Sequence, residues 1–238
     1  MKRKPKFELA RVGVSRPPGG AIPPPREPRR IFLLSPANAG GLRARMILSD
    51  PARCELAARL RGRGVPLGEL FSFISGLYFR GKLAYAQAFG SSGSGGPGSF
   101  VITAGGGLIP PETPITIAQL RELASVPIEV HEARYREPLE RDARQLLQRI
   151  GANSQVVLLG SVATPKYVEP LLGIFGERLM FPAEFAGRGD MSRGGLMLRC
   201  ARSGEQLRYV AVATARRHGP RPPQLPKLAR YSHPVREG

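Results

Sequence analysis

The sequence predicts a single α/β domain built on a mainly parallel central sheet and closed by a C-terminal hairpin. Three observations carry this reading. Short continuous apolar runs at 31–34, 100–103 and 155–159 have the length and composition of strands buried on both faces. Each run feeds a loop rich in Gly, Ser, Thr or Asn. Helical apolar spacing then follows, and strand, polar loop and helix repeated in this way imply a parallel sheet covered on both faces, a three-layer arrangement.

The elements follow in order. After the first strand, the turn-like residues 35–41 lead into 42–48, which fits either a helix or an extended segment. Asp50 and Pro51 suit the cap and first turn of a helix whose apolar face is Cys54, Leu56, Ala57 and Leu60, ended by Gly62 or Gly64. Residues 67–89 read as mostly helical, with Gly76 and Gly81 as weak points and Phe79, Leu83 and Ala86 at helical spacing. The Gly/Ser stretch 90–99 reads as a surface loop, and the second strand enters a glycine loop at 104–110. Thr116 caps a short helix over 117–124. A longer amphipathic helix over 135–150 carries the stripe Leu139, Ala143, Leu146, Leu147 and Ile150, with Gly151 at its end. The third strand leads through 160–166 to a helix over 167–175, and 179–181 is a fourth strand. Residues 194–199 and 207–214 look extended, joined by a turn at 202–205.

Composition bounds the class of protein. The chain has 238 residues, 42% of them hydrophobic, which suffices for a real core. No apolar run has the length of a membrane span, and the basic N-terminus lacks the apolar stretch of a secretory signal. Cys54 and Cys200 lie far apart without metal-ligand spacing, so buried thiols in a reducing cytoplasm are expected. The net charge is +18. Residues 1–30 hold nine Lys/Arg against two Glu, and 216–238 hold six against one. The same segments hold 12 of the 24 prolines. They read as disordered basic tails flanking a domain at 31–215, able to bind DNA or RNA phosphates by counterion release. With 30 Arg and only six Lys beside abundant Gly, Pro and Ala, GC-rich coding is the competing explanation.

In open parallel sheets the ligand site lies beyond the carboxyl ends of the strands. The loops at 35–43, 103–110, 160–166 and 187–195 converge there, and their backbone amides suit phosphates and carboxylates. None matches a Walker or dinucleotide glycine pattern, and the glycines also serve as plain turn residues. The ligand-binding candidates are Ser35, Asn38, Gly40, Gly41, Gly105, Gly106, Ser161 and Thr164, with Ser192 and the cations Lys82, Arg188 and Arg193 at the rim. Tyr78 and Tyr85, on the helix of Lys82, offer an aromatic wall. Asp190 and Glu184 are the candidate catalytic carboxylates. Ser161 lacks the second glycine of a nucleophile elbow, and no His/Asp/Glu group has metal spacing, so no cofactor or metal is expected.

The run Ile31-Phe-Leu-Leu-Ser-Pro-Ala37 resembles the opening strand of the YaaA-type peroxide-stress proteins. Leu77-Tyr-Phe-Arg-Gly-Lys-Leu-Ala-Tyr-Ala86, followed by Val101-Ile-Thr-Ala-Gly-Gly-Gly-Leu-Ile-Pro110, is similar to a helix and strand of related bacterial proteins without an assigned reaction. The latter element is also similar to one in the uracil-DNA-glycosylase-like domain of archaeosine synthase. Asn38 stands where the stress proteins have lysine, and the cysteine usual after the first strand in the related group is absent. The resemblance implies a Rossmann-like fold and a link to DNA, modified nucleobases or stress response. Three classes of function remain open: a nucleic-acid-associated protein binding a phosphate, nucleotide or nucleobase; a small-molecule enzyme of nucleotide metabolism, such as a glycosidic-bond transferase or hydrolase; and a non-catalytic adaptor.

Overall fold

The computed structural model describes residues 28–49, 54–91, 96–223 and 225. Most of the expected basic tails, and the helix cap expected at Asp50, lie outside them. Strand β1 (Arg29–Leu34) is followed by helices α1 (Leu42–Leu48) and α2 (Glu55–Arg61), then strand β2 (Val65–Pro66). Helices α3 (Leu67–Ser75) and α4 (Leu77–Phe89) precede strands β3 (Ser99–Thr103), β4 (Gly107–Ile109) and β5 (Pro114–Ile115). Next come α5 (Ile117–Ser125), α6 (Ala133–Arg149), β6 (Ser154–Leu159), α7 (Pro165–Phe175), β7 (Leu179–Pro182), α8 (Asp190–Ser203) and β8 (Tyr209–Ala211). Arg29 and Arg30, placed in the tail by composition, are the first residues of β1.

Six strands form one sheet in the order β4-β3-β1-β6-β7-β8. The central β3, β1, β6 and β7 run parallel, and the edge strands β4 and β8 run antiparallel to their neighbours. The three apolar runs are therefore adjacent parallel strands, with Leu34 opposite Leu159 and Val101. Successive residues Ile31, Phe32, Leu33 and Leu34 are all fully buried, as are Val156 to Leu159. Side chains of a strand point alternately to opposite faces, so both faces of β1 and β6 are covered.

Several local expectations hold. Thr116 caps α5, and the structure adds Gln119 as its reciprocal partner in a capping box. Leu139, Ala143 and Leu146 of the expected stripe are buried on α6 together with Tyr135, while Leu147 and Ile150 are half-buried against the core. The weak point at Gly76 is a true break: its φ of 63° separates α3 from α4. Gly81, by contrast, lies inside α4.

Three expectations are corrected. The C-terminal hairpin does not form. Residues 194–199, read as extended, belong to α8, and the turn at 202–205 contains the end of that helix, with Gly204 left-handed at its cap. Among the described residues, the only strand after it is Tyr209–Ala211, which pairs with β7. Gly194 and Gly195 argue against a helix by propensity, but packing overrides it. A Cβ on Gly81 would lie 2.5 Å from the Gly194 carbonyl oxygen, and one on Gly194 would lie 2.8 Å from that of Leu77. Only glycine at both positions lets α4 and α8 cross with backbones in contact. The glycine loop at 104–110 is also not a path from strand to helix. It is the turn of the β3–β4 hairpin, with Gly105 and Gly107 at positive φ. Finally, both cysteines are free, but Cys54 is exposed at the start of α2 and Cys200 is only half-buried.

Among the described residues no helix is long and apolar enough to cross a membrane.

Candidate functional site

The residues that follow β1, β3 and β6 open on a cleft of about 640 Å3. Ser35 to Gly40 supply one wall as the chain leaves β1, Ala104 follows β3, and Ser161 follows β6. Phe71 and Ser75 on α3, Tyr78 on α4, Tyr167 and Lys166 on α7, and Asp190 at the start of α8 complete it. The segment from Leu123 to Glu129, at and beyond the end of α5, closes the remaining side.

Behind this wall lies the most unusual side chain in the domain. Lys82 is fully buried, and its ammonium nitrogen donates to the backbone carbonyl of Ser35 and to Ser35 Oγ, the latter at 2.9 Å. The rings of Tyr78 and Phe79 lie 4.3 and 4.9 Å from the nitrogen. Among the described residues no carboxylate bonds it. Burial pulls its pKa from 10.5 down to about 7, opposed only in part by the charge of Asp190. Gly160 makes room for this arrangement, since a Cβ there would come 2.8 Å from that of Ser35.

Helix α8 supplies the polar neighbours. Arg193, 7% exposed, donates through Nε and Nη2 to the Phe185 carbonyl at 3.2 and 3.0 Å. Its Nη1 is 3.5 Å from Asp190 Oδ1, while Asp190 itself remains largely exposed. The hydroxyl of Tyr78 is buried: the Arg193 guanidinium lies close enough to act on it as a donor, and among the described residues nothing accepts its proton. Burial pushes its pKa up to about 12, the nearby Arg193 guanidinium offsetting this only partly, so the phenol keeps its proton at neutral pH. Tyr167 is raised further by the same cause.

The structure brings Ser35, Asn38, Gly40, Ser161, Tyr78 and Asp190 to one cleft. Asn38 is oriented by the Gly40 N–H, which donates to its Oδ1 at 3.0 Å. The other candidates lie elsewhere. Lys82 is beneath the cleft rather than at its rim. Gly41 precedes α1, its N–H donating to the Asn38 carbonyl at 3.1 Å. Gly105 and Gly106 turn the β3–β4 hairpin, and Gly106 packs against Thr103 and Ile109. Thr164 is exposed before α7 and makes no side-chain cap. Arg188 donates to Ser192 Oγ at 3.2 Å, and Arg193 is turned toward Phe185. Glu184 accepts from the Arg208 N–H at 3.3 Å, and its second oxygen is buried without a partner. Tyr85 is no wall of the cleft: it is fully buried, its hydroxyl 2.6 Å from that of Tyr209 and accepting from the Leu207 N–H.

Phe71, Ser75, Tyr167, Lys166 and Glu129 were not among the candidates. Only the Lys166-Tyr167 pair, directly after the third strand's loop, carries a local signal for them. Among the described residues no three His, Cys, Asp or Glu side chains are grouped to hold a metal ion. The chain matches no protein-family model, no curated protein sequence and no solved structure.

Proposed function

We propose that the cleft binds a planar, hydrogen-bonding ring, a nucleobase or nucleoside, as part of a nucleic-acid-associated role. The observation that carries this reading is the buried Tyr78 hydroxyl, whose proton has no acceptor among the described residues, on a wall shared with Phe71 and Tyr167. A buried hydroxyl whose proton lacks an acceptor costs free energy that a ligand's ring nitrogen or carbonyl recovers. The aromatic walls favour a flat ligand. The charges argue for a base over a polyphosphate. The lining holds Lys166 against Glu129 and Asp190, and the hairpin glycines expected to cradle phosphate are not in it. Asp190 is placed to accept from an amino group of the base.

We infer further that the fold is three-layered and Rossmann-like. The support is that α6 packs with α7 and against β3 and β4, while α3, α4 and α8 pack together with α4 against β1. The kinship with the peroxide-stress proteins and a role for the basic tails in holding DNA or RNA belong to the same proposal. Calorimetry with free bases, nucleosides and nucleoside triphosphates tests it. A base or nucleoside should bind the full chain, its triphosphate no more tightly, and Tyr78→Phe should weaken binding about 5- to 10-fold, the worth of about one hydrogen bond. Tighter binding of the triphosphate, or undiminished affinity in Tyr78→Phe, would refute it.

A further inference from the structure

We propose that Ser35 is a nucleophile activated by Lys82 as its general base, so that the cleft performs acyl transfer from carboxylic esters to water through a Ser35-bound intermediate. The Ser35–Lys82 pair at its centre is geometry that nucleobase binding does not use, and the reaction is open whether or not a base is the ligand.

Three features converge. Ser35 lines the cleft directly beyond the carboxyl end of β1, where reacting groups of parallel sheets sit. Its Oγ is 2.9 Å from Lys82 Nζ, within the distance for direct proton transfer. The nitrogen's other contact is the Ser35 backbone carbonyl, which can only accept. A neutral amine therefore places one N–H on that carbonyl and leaves its lone pair free to accept the hydroxyl proton. Burial and the absence of a carboxylate partner favour this neutral form, and the lowered pKa of Lys82 agrees. The groups facing Lys82 are Ser35, directly after β1, Tyr78 and Phe79 from α4, and, through its charge, Asp190 at the start of α8. Of these, Asp190 supplies the anionic charge that favours protonation, and its exposure weakens that pull.

The chemistry balances within these residues and water. Ser35 Oγ attacks the ester carbonyl carbon as its proton passes to Lys82 Nζ, and the carbonyl π pair moves to oxygen. The hydroxyl of Tyr78, a residue of the same cleft, is protonated with no acceptor for its proton, and is the available donor to that oxygen. Collapse breaks the bond to the leaving alcohol, which takes the proton from Lys82. Water then attacks the acyl-serine, gives its proton to the neutral Lys82 Nζ, and leaves the carboxylic acid after the proton returns to Ser35 Oγ.

The test uses the full chain and a fluorophosphonate, which phosphonylates activated serines as the P–F bond breaks and the hydroxyl proton leaves by way of the base. Intact mass and peptide mapping should find one adduct, on Ser35. Ser35→Ala should abolish it, and Lys82→Met and Lys82→Arg should slow it at least 100-fold while far-UV circular dichroism stays native. A two-step release of p-nitrophenol from its acetate, with a burst equal to the protein present, should be lost in the same variants. No adduct, an adduct on another serine, or labelling in folded Lys82→Met at the native rate overturns the proposal. Because the readout is independent of nucleosides, its failure leaves the nucleobase reading intact, and the converse holds.

Discussion

Replacing Lys82 with methionine should stabilise the protein at neutral pH and erase part of the pH dependence of its stability. In the unfolded chain this lysine has its ordinary pKa of 10.5, and in the native domain burial lowers it to about 7. Below pH 7 both states hold the proton, and the native state bears the full cost of burying it. Between pH 7 and 10.5 the unfolded state binds a proton that the native state does not, so native stability rises with pH. The slope is about 1.4 kcal/mol per pH unit, and the whole effect is about 5 kcal/mol. Methionine fills a similar volume with no charge to desolvate, but the Ser35 carbonyl and hydroxyl lose their donor, at a cost of about 2 kcal/mol. Lys82→Met should therefore be more stable by about 3 kcal/mol at pH 7 and less stable by about 2 kcal/mol above pH 10.5. The chain has no tryptophan, so urea unfolding is best followed by far-UV circular dichroism at each pH from 6 to 10. Titrations common to both proteins cancel in the difference between the two curves. A difference that stays constant from pH 7 to 10, or a variant less stable throughout, would show that Lys82 keeps an ordinary pKa and would undo the reasoning.

Two further outcomes test the fold and the charge distribution. Gly81→Ala should lower stability by about 1–3 kcal/mol in thermal or urea unfolding, despite the better helix propensity of alanine, because its Cβ would meet the Gly194 backbone. Gly173→Ala on α7, where an added Cβ meets nothing within 4 Å, should instead be neutral or stabilising by up to about 1 kcal/mol, and equal effects at the two sites would refute the crossing argument. The full chain should bind mixed-sequence DNA or RNA with affinity that falls steeply with salt, and residues 28–225, which lack ten of its basic residues, should bind more weakly with a shallower slope. Identical slopes in filter-binding or anisotropy titrations would remove the tails from any such role.

Much of the sheet was legible because its strands are defined by short-range composition. Residues 31–34, 100–103 and 155–159 are continuous apolar runs, and burial on both faces is what such runs require. The cap at Thr116 was legible for the same reason, since its bond reaches only three residues along the chain. The hairpin at 104–110 was not, since three consecutive glycines suit a phosphate loop and a tight turn equally well. Only the pairing of Val101 with Ile109 decides between them, and that pairing is a tertiary fact.

The site was half legible, and the missing half follows from one helix. The glycines at 194 and 195 were read as extended backbone, which removed α8 from the picture and with it the element that sets Asp190 and Arg193 beside α4. Without α8, Lys82 is a lysine on a helix with aromatic neighbours, and such a residue ordinarily faces water. With α8 crossing at Gly81, one helical position from Lys82, the two backbones close over the side chain and leave it nowhere to go but toward the end of β1. There the Ser35 carbonyl and hydroxyl are the acceptors it finds. The pairing of a serine on one element with a lysine 47 positions away was thus decided by a glycine contact between two other turns of helix. The stability predicted for Lys82→Met and the strain predicted for Gly81→Ala probe the two ends of this same arrangement. If α4 and α8 did not need their glycines, Lys82 would not need to be buried, and the two predictions should fail together.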